Sequence, residues 1–293
     1  MNTDNLFEKE GPIYLGSQLK KKNCSIGIVG VNYDGTTCYK PGTRFGPNAI
    51  RLASQCLETF CPKSGKDLDE IKYFDFGSVF LDHRDTISVI DKVKLATQYI
   101  LINNLKPLIL GGEHSITSGS IQALVDKYPN LILIQLDAHA DLRNSYQNNR
   151  FSHACTIQRC TDILRDNKVF QIGIRSGTKE EFEIMNKRDQ LIEFNPGDNG
   201  MLLKQKLEPF KDFPIYLTID LDWFDPSMVP GTGTPEPGGL FWHDFETIIK
   251  TLDDFKVIGG DIVELSPDID PSGVSSIVAA KVARSLIITL DKN

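Results

Sequence analysis

Leu131-Ile132-Leu133-Ile134-Gln135-Leu136-Asp137-Ala138-His139-Ala140-Asp141-Leu142-Arg143 begins as an apolar run rich in leucine and isoleucine and turns abruptly acidic. The run reads as a buried strand, and the change in character marks its carboxyl end. On an extended chain successive side chains alternate faces, so Asp137, His139 and Asp141 at i, i+2 and i+4 are expected on one side, with Ala138 and Ala140 as small spacers. Carboxylates crowded at the end of a buried strand repel each other and lose hydration, so either their pKa values rise or positive charge is supplied. By itself the triplet is equally compatible with a cation site and with a polar strand end paired to arginines.

The same pattern recurs on both sides of this stretch. Upstream, Cys24 to Val31 and Ile71 to Val79 read as strands and Thr86 to Leu105 as a long amphipathic helix. Pro107 to Leu110 is a short buried strand running straight into Gly111-Gly112-Glu113-His114-Ser115, where paired glycines let the backbone turn before a helix from Thr117 to Tyr128. Downstream, a helix from Ala154 to Arg165 precedes a strand from Val169 to Ile174. Pro214 to Ile219 then delivers Asp220-Leu221-Asp222-Trp223-Phe224-Asp225-Pro226, again with acids at i and i+2. Val257 to Val263 ends at Glu264, and a final apolar helix spans Val274 to Leu290. Strands alternating with helices at this spacing imply an α/β fold, a mainly parallel sheet with helices on both faces. In such sheets the carboxyl ends of the strands form the ligand crevice. His114, Asp137, Asp220 and Glu264 each follow a different strand, so they are expected to meet in space.

The 293-residue chain is 40% hydrophobic and 24% charged, the balance of a soluble globular protein with one large α/β domain or two small ones. Residues 1–22 read as an arm whose apolar patch, Pro12-Ile13-Tyr14-Leu15, docks on the body or on a neighbouring subunit; residues 23–293 read as a single catalytic domain. A net charge of −7 argues against a nucleic-acid partner and fits a cationic small substrate. No run reaches the roughly 18 apolar residues of a membrane span and no leader-like segment opens the chain, so a cytoplasmic protein is expected. The six cysteines (Cys24, Cys38, Cys56, Cys61, Cys155, Cys160) show no zinc spacing and are expected to be reduced and mostly buried. Arg44, in the rigid turn Lys40-Pro41-Gly42-Thr43-Arg44-Phe45-Gly46-Pro47, is expected to tie that turn to the body. His83, in a charged loop, and His243, at a helix start, read as solvated or capping residues.

If the strand ends converge, the crevice holds His114, Asp137, His139, Asp141, Asp220 and Asp222, whose four formal negative charges match two divalent cations. Oxygen-rich ligation with imidazole and no thiolate suits manganese best; zinc, cobalt and iron stay open, and magnesium is disfavoured. Two such ions about 4 Å apart can bridge one water and lower its pKa toward neutrality, which is how a hydrolase obtains hydroxide.

Gly111-Gly112-Glu113-His114-Ser115, Asp137-Ala138-His139-Ala140-Asp141 and Asp220-Leu221-Asp222-Trp223-Phe224-Asp225-Pro226, in this order, resemble the ureohydrolase family of arginases and agmatinases. The resemblance covers nearly the whole chain. Pro41 to Pro47, Gly173-Ile174-Arg175-Ser176, Pro230-Gly231-Thr232-Gly233-Thr234-Pro235-Glu236 and Val263-Glu264-Leu265-Ser266-Pro267 resemble the agmatinase branch in particular. The resemblance implies a three-layer α-β-α fold with a mainly parallel sheet of roughly eight strands, two Mn2+ per subunit, and a trimeric or hexameric homo-oligomer. It implies that His114, Asp137, Asp141 and Asp220 hold one ion and Asp137, His139, Asp220 and Asp222 the other, with Asp137 and Asp220 bridging. It also implies that Asp141 orients a metal-bridging hydroxide, that Glu264 grips a guanidinium by charge-assisted hydrogen bonds, and that His153 moves the proton the leaving amine needs. The implied activity is hydrolysis of a guanidino compound to urea and a primary amine.

Arginine-cleaving members carry a Ser-Gly-Asn-x-His-Gly pattern after the central triplet, and Asn144-Ser145-Tyr146-Gln147-Asn148-Asn149-Arg150-Phe151-Ser152-His153 lacks it. Agmatine, ending in a bare amine, is therefore the leading substrate, with the loop from Asn144 to Ser152 as pocket wall and Asn144, His153 and Glu264 as contacts. Guanidinobutyrate, guanidinopropionate, formiminoglutamate and arginine are the alternatives, since Arg143, Arg150 and Arg175 could meet an acidic tail. A metallophosphatase would need a Gly-Asn-His signature that is absent, and a deacetylase-like zinc amidohydrolase needs fewer ligands. A metal-stabilised scaffold is the non-enzymatic alternative.

Overall fold

The computed structural model describes residues 6–8, 11–82, 85–165 and 168–292. Nine strands form one sheet: β1 (Phe7–Glu8), β2 (Ile26–Gly30), β3 (Tyr73–Val79), β4 (Lys106–Leu110), β5 (Ile132–Leu136), β6 (Val169–Ile172), β7 (Leu191–Ile192), β8 (Ile215–Asp220) and β9 (Val257–Val263). Their spatial order is β1-β3-β2-β4-β9-β8-β5-β6-β7. Every neighbouring pair runs parallel except β1 with β3. The sheet thus has one strand more than the eight or so expected, because the two-residue β1 is too short to carry a periodic signal.

The central strands are largely apolar because both faces are covered, with Gln135, Thr218 and Asp261 as buried polar exceptions. All residues of β5, β8 and β9 are buried, and each fully buried Leu or Ile contributes roughly 1.5–3 kcal/mol. Helices α1 (Gly46–Ser54), α6 (Met201–Leu207), α7 (Trp242–Leu252) and α8 (Val274–Lys292) close one core, which contains Ile50, Leu203, Phe245 and Leu286. On the other face α2 (Thr86–Ile102), α3 (Thr117–Lys127), α4 (Thr156–Leu164) and α5 (Lys179–Arg188) cover two further clusters, to which Val93, Ile121, Ile157 and Met185 belong. The result is a three-layer α-β-α fold.

Near the amino terminus, β1 pairs with Ser78 and Val79 at the sheet edge. Tyr14 is fully buried, its N–H donating to Asp75 Oδ2 at 2.9 Å and its hydroxyl to Ala280 O at 2.7 Å, so the Pro12 to Leu15 patch packs on the body of its own chain. Arg44 pairs with Asp34 at 2.5 Å, and Asp34 also accepts from Gly42 N–H, fixing the turn as its composition suggests. Of the cysteines, all free, only Cys61, Cys155 and Cys160 are buried; Cys38 and Cys56 are exposed because they lie in a loop and past the end of α1 rather than in the core. His243 is exposed, and His83 lies outside the described residues. Among the described residues no helix is long and apolar enough to cross a membrane.

β4, β9, β8 and β5 are successive neighbours in the middle of the sheet. Their carboxyl ends therefore bring the segments carrying His114, Glu264, Asp220 and Asp137 to one crevice.

Candidate metal centre

His114 sits at the mouth of α3, in a short 3-10 turn that follows the glycine pair after β4. Gly112 is required there, since a Cβ would overlap the carbonyl of Tyr33. The ring of His114 is buried and its Nδ1 faces Asp137 Oδ2 at 3.0 Å, Asp141 Oδ2 at 3.2 Å and Asp220 Oδ2 at 3.4 Å. On the other side of the cluster His139 Nδ1 lies 2.9 Å from Asp222 Oδ2 and 3.6 Å from Asp137 Oδ1. His114, Asp137 and Asp141 form one group able to hold a cation, and Asp137, His139 and Asp222 form another, so Asp137 is shared. Asp220 joins through its approach to His114, while its Oδ1 caps the following turn by accepting from Asp222 N–H at 2.9 Å.

The six residues expected to converge do so, but not by strand alternation. β5 stops at Leu136, and Asp137 Oδ1 accepts from His139 N–H at 2.6 Å, curling the chain. Asp141 then adopts the left-handed conformation, φ 53°, which is uncommon for a residue with a Cβ. Its carbonyl accepts from Ile157 N–H at 3.0 Å and Gln158 N–H at 3.1 Å, satisfying donors at the start of α4 and locking the bend. A local Asp turn and a distant helix terminus thus override the extended geometry.

Further polar groups orient the ligand atoms. Gln135 Nε2 donates to Asp137 Oδ2 at 2.6 Å, and Ala138 N–H to Asp222 Oδ1 at 3.1 Å. Behind His114, Tyr216 and Thr218 donate to Asp261 at 3.0 and 2.5 Å, and Thr218 Oγ1 lies 2.9 Å from His114 Nε2. A threonine whose proton goes to Asp261 must accept from the imidazole, which places a hydrogen on Nε2 and turns Nδ1 toward the carboxylates. His114 Nδ1 is buried without a hydrogen-bond partner, so the atom aimed at three acidic oxygens needs a proton or a cation between it and them.

Protonation tells the same story. Burial opposes charge on His114, yet Asp137, Asp141 and Asp220 raise its pKa well above the usual value. Burial likewise opposes charge on His139, and Asp222 and Asp137 outweigh it. Asp220 is pushed well up by burial and by Asp222 and Asp137, and Asp141 is raised to about 6 by burial and Asp137. Burial also disfavours the Asp137 carboxylate, but His114 and His139 hold its pKa below the ordinary range. Protons collect where divalent cations would neutralise the same carboxylates, so the donor set fits such ions.

A pocket of about 220 Å³ opens beside the cluster, lined in part by His139, Asp141, Arg143, Tyr146, His153 and Ser176. His153 begins a 3-10 turn ahead of α4. Thr36 Oγ1 donates to Glu113 Oε1 at 2.6 Å while lying 3.0 Å from His153 N and 3.1 Å from His153 Nδ1. Hydrogen therefore resides on Nδ1, leaving Nε2 as an acceptor. Burial, reinforced by positive charge on His114 and His139, lowers the His153 pKa to about 4, so the ring is neutral near pH 7. Thr36 belongs to none of the motifs read from the sequence and reaches His153 across 117 positions, and Glu113 lies inside the Gly111 to Ser115 motif.

Glu264 also has a left-handed backbone, φ 64°, and its Oε1 accepts from His114 N–H at 2.7 Å. Burial and Glu113 push its carboxyl pKa well up. Asn144 does not join the site: it is exposed, accepts from Arg159 Nη2 at 3.0 Å and is absent from the pocket lining, where Arg143 and Tyr146 of the same loop stand instead. The Arg143 guanidinium stacks on Tyr146, 4.9 Å from the ring centroid. Arg175 is spent on main-chain carbonyls, including Asp222 O at 2.7 Å and Glu236 O at 2.8 Å, and the exposed Arg150 does not line the pocket. Of the three arginines considered for an acidic tail, only Arg143 lines it.

A family model described as Arginase family matches residues 24–289. The agmatinase of Bacillus anthracis is 35% identical over 281 residues, covering 95% of this chain and 96% of its own length. The N(1)-aminopropylagmatine ureohydrolase of Thermococcus kodakarensis is 39% identical over 242 residues, covering 82% of each chain. The crystal structure of agmatine ureohydrolase of Thermoplasma volcanium matches with a TM-score of 0.81 at 30% identity, covering 96% of this chain and 94% of that one.

Proposed function

The chain belongs to the arginase family, and from that premise we propose that this ureohydrolase is a manganese-dependent agmatinase that cleaves agmatine to putrescine and urea. The observation that carries the reading is the meeting of two imidazoles and four carboxylates at the strand ends, with His114 Nδ1 orphaned among three acidic oxygens. His114, Asp137, Asp141 and Asp220 would hold one Mn2+, and Asp137, His139, Asp220 and Asp222 the second. Bound there, such ions lower the pKa of water and make a nucleophile available near neutral pH.

The remaining chemistry belongs to the chain itself. A guanidinium stays charged at any physiological pH, and its carbon is a poor electrophile. The buried Glu264 carboxyl, disfavoured as an anion on its own, recovers its charge beside a guanidinium and fixes that group over the cluster. Asp141 orients the attacking water. The water oxygen adds to the guanidinium carbon, the bond to the alkyl nitrogen breaks, and the leaving amine takes a proton. Neutral His153, with Nε2 as acceptor, picks up a proton released by the water and passes it to that amine. On the same reading residues 23–293 are the catalytic domain, residues 1–22 an arm, and the protein a cytoplasmic trimer or hexamer.

The test incubates manganese-loaded protein with agmatine, arginine, guanidinobutyrate and formiminoglutamate, and assays urea, formamide and the amine products. Urea and putrescine, released fastest from agmatine, are expected. Turnover confined to an acidic-tailed substrate would reject agmatine and assign Arg143 to the tail.

A further inference from the structure

We propose that Glu236 is a positioning residue for His139: it accepts a hydrogen bond from Nε2–H and so presents Nδ1 to the second cation position. The inference rests on the reading of His139 as a metal ligand. A neutral imidazole that binds a metal through one nitrogen carries its proton on the other, and that N–H is generally held by an oxygen acceptor which fixes the tautomer and ring plane. For His139 the cluster-facing nitrogen is Nδ1, 2.9 Å from Asp222 Oδ2. Its opposite nitrogen, Nε2, lies 3.9 Å from Glu236 Oε1.

One hydrogen bond holds this carboxylate itself, and main-chain contacts fix the segments on either side of it. Ser176 Oγ donates to the same Oε1 at 3.0 Å. Ser176 also pairs with the strap carrying His139, through Ala140 N–H to Ser176 O at 3.0 Å and Ser176 N–H to Ala138 O at 2.9 Å. Arg175 Nη2 donates to both Glu236 O and Asp222 O, tying the loop that bears the glutamate to the turn that bears the ligand. Prolines on either side, Pro235 and Pro237, restrict the backbone further. The gap exceeds hydrogen-bond length by about 1 Å, and His139 is 26% exposed, so its ring has room to tilt onto the carboxylate when Nδ1 takes a cation.

The experiment measures manganese binding to the metal-free protein by calorimetry and by the paramagnetic resonance signal of the ion pair, for the native chain, Glu236→Gln and Glu236→Ala. Urea release from agmatine and from butylguanidine, whose tail is uncharged, is followed at limiting and at saturating manganese. Expected is a loss of about 10–100-fold at the His139 manganese position in Glu236→Ala, a smaller loss in Glu236→Gln, and the His114 position unchanged. Rates on both guanidines should fall together at limiting metal and recover at saturation. Glu236→Gln keeps the side-chain shape and guards against a folding defect. Unchanged manganese affinity in both variants would overturn the inference, and a loss confined to agmatine would assign Glu236 to the substrate's charged tail instead. A native chain that binds no manganese would overturn the metal reading and this inference with it; one that binds two ions but ignores agmatine would overturn the substrate reading alone.

Discussion

His114 and His139 stand on opposite sides of one acidic cluster, yet the fold supports them differently. The His114 ring is 1% exposed, and its outer nitrogen meets Thr218, which is paired in register with Asp261 across β8 and β9. That support is built from the sheet itself, so completing the sheet completes it. The His139 side chain is 26% exposed and follows a curled segment beyond β5, with Glu236 reaching toward it from a proline-rich loop. Its support depends on loops that the sheet only anchors. The two cation positions are therefore expected to differ in affinity, the His114 position being the tighter because less has to be ordered on binding.

The most severe test removes what the two sides share. Asp137 belongs to both ligand groups and is fully buried, so Asp137→Ala should empty both positions. Removing an outer partner of a metal ligand costs about 10–100-fold in affinity, and losing a common ligand should exceed that at each site. Manganese content by elemental analysis should fall to background, and urea release with it. Asp141→Ala and Asp222→Ala each touch a single group, and each should weaken one ion more than the other. If those two variants weakened the same ion, the two-sided description would fail.

A milder variant separates the His114 side from its neighbour. Thr218→Val deletes the acceptor for His114 Nε2–H and leaves a buried donor unpaired, at a cost of about 1–3 kcal/mol. Manganese titration should show about 10–100-fold weaker binding at the tighter site, and thermal unfolding of the metal-free protein should begin earlier. Thr218→Ser retains the hydroxyl and should restore most of both. Weakening of the looser site alone would contradict the assignment of Thr218 to His114.

The contrast also marks how much was legible in the sequence. β5 and β8 announce themselves as mainly apolar runs and β9 as a β-branched run interrupted by Gly259, Gly260 and Asp261, and an acidic group at or just past the end of each is enough to locate the crevice. What alternation alone misses is how the ligands meet: Asp141 turns inward because Asp137 captures a backbone N–H and α4 captures the Asp141 carbonyl, and the second of these contacts is not local. Asn144 shares its loop with the pocket residues Arg143 and Tyr146, but its side chain faces Arg159 and not the pocket, a long-range pairing that the sequence does not display. From the sequence Arg175 is a candidate for meeting an acidic tail, whereas its donors go to carbonyls from segments about 50 and 60 positions away. Thr36, Glu113 and Glu236 act through contacts that no local pattern encodes, although Glu113 and Glu236 sit inside motifs that the sequence does display.

The smallest expected effect lies away from both metal positions. Thr36→Val removes the acceptor of His153 Nδ1–H while touching none of the six cluster residues, so manganese content should stay unchanged at both sites. The ring would lose its fixed tautomer but not its place in the pocket. The turnover number should fall about tenfold, below the 10²–10⁴ that a fully positioned acid or base contributes. Burial and the two charged histidines depress the His153 pKa from its ordinary 6.5 to about 4. The stability contributed by its neutral form is therefore complete above pH 6.5 and is lost as the pH falls toward 4. A ring resonance of His153 followed by NMR should titrate near the lower value in the native chain. Titration at 6.5 would show that His153 is not held neutral by its surroundings, and loss of manganese in Thr36→Val would join this third region to the two it is here set apart from.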